Sequence, residues 1–88
     1  MTAADVVAVL ATILVVSANI PQIIKGYKTK SLDDISMLFL IILFSGVVLW
    51  LVYGVLINEK TFVISNSVIL ISIIVLISMK IYYGRKIT

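Results

Sequence analysis

Three uncharged stretches limit what this chain can fold into. Asp5 is followed by no charge until Lys25, and Val6–Ile24, Ile35–Asn58 and Thr61–Met79 carry no Asp, Glu, Lys or Arg over 19, 24 and 19 residues. The charges gather between and after them: Lys25, Lys28, Lys30, Asp33 and Asp34, then Glu59 and Lys60, then Lys80, Arg85 and Lys86. A bilayer core about 30 Å thick needs roughly 20 apolar residues of helix, so each stretch fits one crossing. Val and Ile are abundant. The stretches are nonetheless too long for strands, and an open sheet in lipid would leave backbone groups unpaired. The pattern predicts an all-α membrane protein, a single unit over residues 1–88 with transmembrane helices at about residues 5–25, 35–57 and 61–82. Composition points the same way: 62% hydrophobic and 12% charged, against about 25% charged in soluble domains.

The first stretch ends in V-S-A, residues 16–18, which has the look of a cleavage site. A signal peptide carries its Lys or Arg before the apolar run; here the lysines follow it, so a span is expected. Lys and Arg also set direction. The first loop and the C-terminal segment share a side and hold six basic residues against Lys60 alone on the other, which predicts an outside N-terminus and a cytoplasmic C-terminus. Tyr27, Tyr82 and Tyr83 flank the basic clusters as expected headgroup anchors. Asp33 and Asp34 precede the second helix, where negative charge suits the N-terminus, and Ser36 is placed to cap it. The short Asn58–Lys60 connection makes helices 2 and 3 antiparallel neighbours.

Several chemistries are excluded. The chain has no Cys and no His, so it lacks a thiolate nucleophile and the usual near-neutral proton shuttle and metal ligand. No acid or base lies within a span, which removes the pair an intramembrane hydrolase needs and the usual acid for proton coupling. No enzyme activity, cofactor, metal or nucleic-acid partner is expected.

The polar groups inside the spans are neutral. Ser17, Ser45, Ser65, Ser67, Ser72 and Ser78 read as helix-packing serines with hydroxyls bonded to their own helix, and Gly46 and Gly54 as points of close approach. Trp50 lies about 10 Å below the outer end of helix 2, and Asn66 about 7–8 Å below the same end on helix 3, at ~1.5 Å per residue. An indole face beside an amide suits a polyol, the ring covering C–H faces and the amide bonding hydroxyls; a packed tryptophan and an interhelical amide bond fit the spacing equally well. Phe39, Gly46, Trp50, Tyr53 and Ile57 follow one another at intervals of 7, 4, 3 and 4 residues and so share one helical face. Pro21, the only proline, has no N–H, so the Ser17 carbonyl loses its bond and the helix is pushed to kink about a turn before its inner end. Gln22 is placed to satisfy the freed group. A static kink and a hinge both satisfy this reading.

These residues resemble the SemiSWEET sugar transporters, half-size relatives of the SWEET and PQ-loop families. Pro21–Gln22 is similar to their PQ dipeptide at the end of helix 1. K-G-Y-K-T-K-S-L-D-D-I-S, residues 25–36, resembles their basic T-K-S…I-S loop. S-G-V-V-L-W-L-V-Y-G, residues 45–54, resembles the segment carrying a pocket tryptophan and a gate tyrosine, and Asn66 falls at the pocket asparagine. The resemblance covers nearly the whole chain. It implies a unit in which helix 3 packs between helices 1 and 2, and a parallel homodimer around one central path. It further implies that Trp50 and Asn66 contact substrate, that Tyr53 and Glu59 belong to an outer gate, that Phe39 is the inner constriction, and that Pro21 and Gln22 form a hinge. One departure stands out. Some relatives place an arginine four residues after the gate tyrosine, paired with an acid two further on; here Ile57 takes the arginine's place, leaving Glu59 to use Lys60 or a partner-chain backbone group.

The expected function is therefore uniport of a small neutral mono- or disaccharide by alternating access through the homodimer axis, in a bacterial inner membrane. Two other readings remain open. A PQ-loop amino-acid exporter would normally depend on a membrane acid, which is missing here. A structural or accessory membrane subunit would use Trp50 and Asn66 against a partner helix.

Overall fold

A computed structural model describes residues 2–87, with side chains described through residue 84; the side chains of Arg85 and Lys86, counted above for orientation, lie outside the described residues. The chain forms α1 (Ala3–Thr29), α2 (Met37–Leu56) and α3 (Lys60–Ile87). All three are long and apolar enough to cross a membrane.

Local chemistry sets the ends. Thr2 and Asp5 open α1 with a capping box: the Thr2 N–H donates to the Asp5 carboxylate at 3.0 Å and the Asp5 N–H to the Thr2 hydroxyl at 3.2 Å. Lys30 closes α1 in the left-handed region, at φ 57°, its N–H donating to the Gly26 carbonyl. Ser36 caps α2 as expected, accepting from the Phe39 N–H at 3.2 Å. Asn58, at φ 59°, turns the chain from α2 to α3. The Asn58 and Glu59 N–H groups donate back to the Val55 and Gly54 carbonyls at 3.2 and 3.0 Å, a paired helix stop that a left-handed Asn tolerates.

Helix α3 lies in the middle. It packs against α1 and against α2, while α1 and α2 do not pack against each other. Its residues Ser65, Asn66, Ser72, Ile73, Leu76 and Tyr83 are buried. The α1–α3 contact includes a polar tie, Asn19 Nδ2 donating to Ser72 Oγ at 2.9 Å. The α2–α3 contact closes at Gly54, where an added Cβ would stand 2.8 Å from Phe62 Cδ2 and 3.0 Å from Val63 Cγ2. Gly46 does not share this role: beyond its own stretch of helix nothing lies within 4 Å of an added Cβ, because its side of α2 faces outward.

The α1–α2 loop is docked onto the bundle. Leu32 is buried with Leu40 and Leu76, and sits where a Cβ on Gly26 would otherwise be. Lys80 Nζ, on α3, donates to the Leu32 carbonyl at 3.0 Å. Asp34 makes no hydrogen bond to the first turn of α2; its carboxylate accepts from Lys25 Nζ at 2.9 Å.

Three further expectations change. Tyr83 is 5% exposed and packs inside the protein rather than anchoring at the headgroups. Tyr27, in contrast to Tyr83, is exposed as expected, with Lys30 Nζ 4.4 Å from its ring centre. Helix α1 continues past Lys25 to Thr29, so Pro21 sits about two turns from the inner end, not one. Gln22 makes no hydrogen bond to the Ser17 carbonyl; it is exposed and lines a cavity at the inner end.

Candidate functional site

Trp50 and Asn66 line one cleft. Helix α2 contributes Trp50, α3 contributes Phe62, Ser65 and Asn66, and the facing wall of α1 is Ala8, Ala11, Thr12 and Val15. The small residues on α1 leave the space, which is about 230 Å³. That is below the roughly 300–1,000 Å³ of common ligand pockets. The cleft is also open: Trp50 is 54% exposed. The cleft is thus open on one side.

Gly54 makes the aromatic part of this cleft. With no Cβ there, Phe62 reaches the stripe on α2 and meets Trp50 edge-to-face, with ring centres 5.5 Å apart at 74°. Trp50 and Tyr53 stand at 5.7 Å and 80°, and Tyr53 and Phe62 at 5.9 Å and 78°. Three rings each edge-on to the others use the favoured quadrupole geometry. The indole is thereby fixed while half its surface remains free. Phe62 belongs to no motif, and sequence reasoning passed over it. The available signal was its position four residues before Asn66, on the same face of α3.

Asn66 is 9% exposed. Its Nδ2 donates to the Phe62 carbonyl at 2.9 Å, one turn back on α3. That bond holds the amide plane and leaves the second N–H and Oδ1 without a partner in the chain. None of the residues lining the cleft is ionisable. The arrangement can therefore cover an apolar face and hydrogen-bond a neutral solute, but it offers no charge to pair with an ion.

The remaining predicted residues lie elsewhere. Phe39 is 56% exposed on α2, about 16 Å along the axis from Trp50 at ~1.5 Å per residue. Glu59 is exposed and forms no ion pair with Lys60; among the described residues the only salt bridge is Lys25–Asp34. Pro21 is exposed within α1. A larger cavity of about 480 Å³ opens at the inner end, against Gln22, Lys25, Thr29 and the loop. Its two closest opposite charges, Lys25 and Asp34, already satisfy each other, and its mouth is in the solvent-exposed loop. Its remaining polar groups, the Gln22 amide and the Asp33 carboxylate, stand on exposed residues, whereas the unpaired amide of Asn66 is nearly buried beside an aromatic face.

Comparison with known proteins bears on the family and the fold. A family model described as a PQ loop repeat matches residues 3–63. The chain is 37% identical over 67 residues to the sugar transporter SemiSWEET of Bradyrhizobium diazoefficiens, covering 76% of this chain and 78% of that protein. It is 30% identical over 82 residues to the sugar transporter SemiSWEET of Leptospira biflexa, covering 93% and 96%. Over 61 residues it is 38% identical to an uncharacterized protein of Methanocaldococcus jannaschii, covering 69% of this chain and 66% of that protein. A solved structure described as the crystal structure of a bacterial homologue of SWEET transporters superimposes with a TM-score of 0.86 at 41% identity, covering 94% of this chain and all of that one.

Proposed function

This chain belongs to the SemiSWEET members of the PQ-loop family, multi-pass membrane transporters and not enzymes, and from that premise we propose that it carries a small neutral mono- or disaccharide across the membrane by facilitated diffusion. The observation that carries the proposal is the half-exposed, edge-locked Trp50 beside a nearly buried Asn66 in an uncharged cleft. An indole face stacks on sugar C–H surface, and the free part of the amide bonds its hydroxyls.

The transporting unit in this reading is a parallel homodimer. Two such clefts facing across an axis double the volume and the contacts, giving two Trp50 and two Asn66 around one solute. Parallel repeats about the membrane normal are a known transporter plan. The exposed α2 face of Phe39, Gly46, Trp50 and Tyr53 is the surface available for the second copy.

Access alternates between the two sides. Tyr53 narrows the outer mouth, helped by Glu59 through the partner chain, since Lys60 does not pair with it. Phe39 narrows the inner mouth. Pro21 and Gln22 let the inner part of α1 swing, Pro21 having released the Ser17 carbonyl from the helix ladder. Neither closed form can lie much deeper than the other, or cycling would stall. With no acid in the cleft, transport is uniport. The protein sits in a bacterial inner membrane with its N-terminus outside, following its Lys and Arg distribution; labelling an Asn58→Cys variant from outside intact cells tests that orientation.

The test is uptake of labelled glucose and sucrose into proteoliposomes. The wild type is expected to transport at least one of them without a proton gradient, and Trp50→Ala and Asn66→Ala each to lower the rate at least about tenfold. Two variants that match the wild type would remove the cleft from the pathway.

A further inference from the structure

A buried hydroxyl needs a partner, whether protein, water or ligand. Inside the three helices the chain supplies its own. Thr12, Ser45, Ser67 and Ser72 donate to the carbonyls of Ala8, Ile41, Val63 and Ile69 at 2.7, 2.9, 2.8 and 2.7 Å. Ser17 and Ser78 are exposed. Ser65 is different. It is 9% exposed, yet its hydroxyl makes no hydrogen bond in the chain. Its oxygen is not sealed off, and the residue lines the cleft next to Asn66.

We propose that the Ser65 hydroxyl is a second hydrogen-bonding contact to the transported solute, acting beside Asn66 to select a solute with two adjacent hydroxyls. The assignment rests on the sugar-transport reading and names the part of the sugar that the cleft recognises. Asn66 has committed one N–H to Phe62, which leaves an acceptor and a donor. Ser65 adds one donor and two acceptors at the neighbouring position of α3. Two hydroxyls on adjacent sugar carbons present a matching pair. The rest of the cleft wall is mostly apolar: Ala8, Ala11, Val15, Phe62 and Ile69 bond no hydroxyl through their side chains. A solute that lacks one of the two hydroxyls leaves Ser65 buried and unpaired, and sites built on polar groups reject such analogues strongly.

The experiment measures exchange of labelled glucose in proteoliposomes, with unlabelled glucose and its 2-, 3-, 4- and 6-deoxy analogues as competitors. Thermal unfolding without sugar is recorded in parallel. Ser65→Ala is expected to weaken competition by glucose about five- to tenfold, the range of one neutral hydrogen bond. For one of the four analogues wild type and variant should compete equally, because the hydroxyl that meets Ser65 is already gone. Ser67→Ala, whose hydroxyl is satisfied by Val63, should leave every affinity unchanged. Unfolding of Ser65→Ala should occur at or above the wild-type temperature, since no bond within the protein is lost. Identical competition profiles for wild type and Ser65→Ala would overturn the assignment while transport stands. A variant less stable than wild type without sugar would give the hydroxyl to the fold and also overturn it. A wild type that exchanges no labelled glucose would overturn this assignment, and one that takes up neither glucose nor sucrose would overturn the transport reading with it.

Discussion

Gly54 and Phe62 stand so close that a Cβ on the glycine would lie 2.8 Å from Cδ2 of the phenylalanine. That contact seats Phe62 against both Trp50 and Tyr53, so a backbone feature of α2 fixes the ring that faces the cleft. Gly54→Ala is expected to push Phe62 out of the three-ring cluster and to cost about 1–3 kcal/mol, the usual range for overpacking. Thermal unfolding in detergent measures the cost. Trp50 is the only tryptophan, so a shift in intrinsic fluorescence reports the disturbed cluster directly. Gly46→Ala should leave both readouts of a single chain unchanged, because nothing beyond its own stretch of helix lies within 4 Å of a Cβ there.

Asn19 and Ser72 form the polar tie between α1 and α3, two residues before Pro21. Interhelical hydrogen bonds in membranes are worth less than their geometry suggests, about 0.6 kcal/mol on average, because the separated helices also find partners. Asn19→Ala, Ser72→Ala and the double variant are therefore expected to give a coupling near that value. A coupling above about 2 kcal/mol would mean that the tie acts within a larger network.

Lys25 and Asp34 pair across the start of the α1–α2 loop, with both side chains well exposed. The Lys25 hydrogen bond first, and its charge second, hold the Asp34 carboxyl below its ordinary range. The sign follows. A carboxyl depressed in the folded state contributes stability above its unfolded pKa of about 3.9, and loses it as pH falls through the lower folded value. Stability should thus be flat in this pair from pH 5 to 8, as orders of titration set by ~3.9 require. Titration of the Asp34 carboxyl by NMR is expected to fall below the free-aspartate value, and Lys25→Met to bring it back. High salt should shrink the difference, since an exposed pair is readily screened.

Much of this architecture was legible because lipid punishes unpaired backbone and buried charge. Three uncharged runs could only be helices, and the Ser36 cap and the α2–α3 stop follow from short-range rules. What was not legible depends on which way a side chain points once the helices pack. The serines looked alike in sequence, yet Ser67 and Ser72 bond to their own helix and Ser65 does not. Gly46 and Gly54 share a composition and a helix, but only Gly54 meets α3. Tyr82 and Tyr83 are neighbours in sequence; one is 55% exposed and the other 5%. Phe62 carries no polar group to draw notice, and its part in the cleft appears only when Gly54 lets α3 approach.

The parallel homodimer can be tested at two depths on the exposed face of α2. Phe39 and Tyr53 are 56% and 49% exposed and lie about 21 Å apart along the helix at ~1.5 Å per residue. In a parallel pair around an axis each position meets itself, so Phe39→Cys and Tyr53→Cys variants should each form crosslinked homodimers in membranes. Mixed samples of the two should give no Phe39→Cys to Tyr53→Cys product, because 21 Å is about three times the ~7 Å reach of a disulfide between Cα atoms. An antiparallel pair reverses both results. The natural chain has no cysteine, so any product comes from the introduced thiol. Failure of both self-crosslinks would leave this face to lipid or to another protein and favour an accessory-subunit role, since a single cleft of about 230 Å³, open at Trp50, does not enclose a solute.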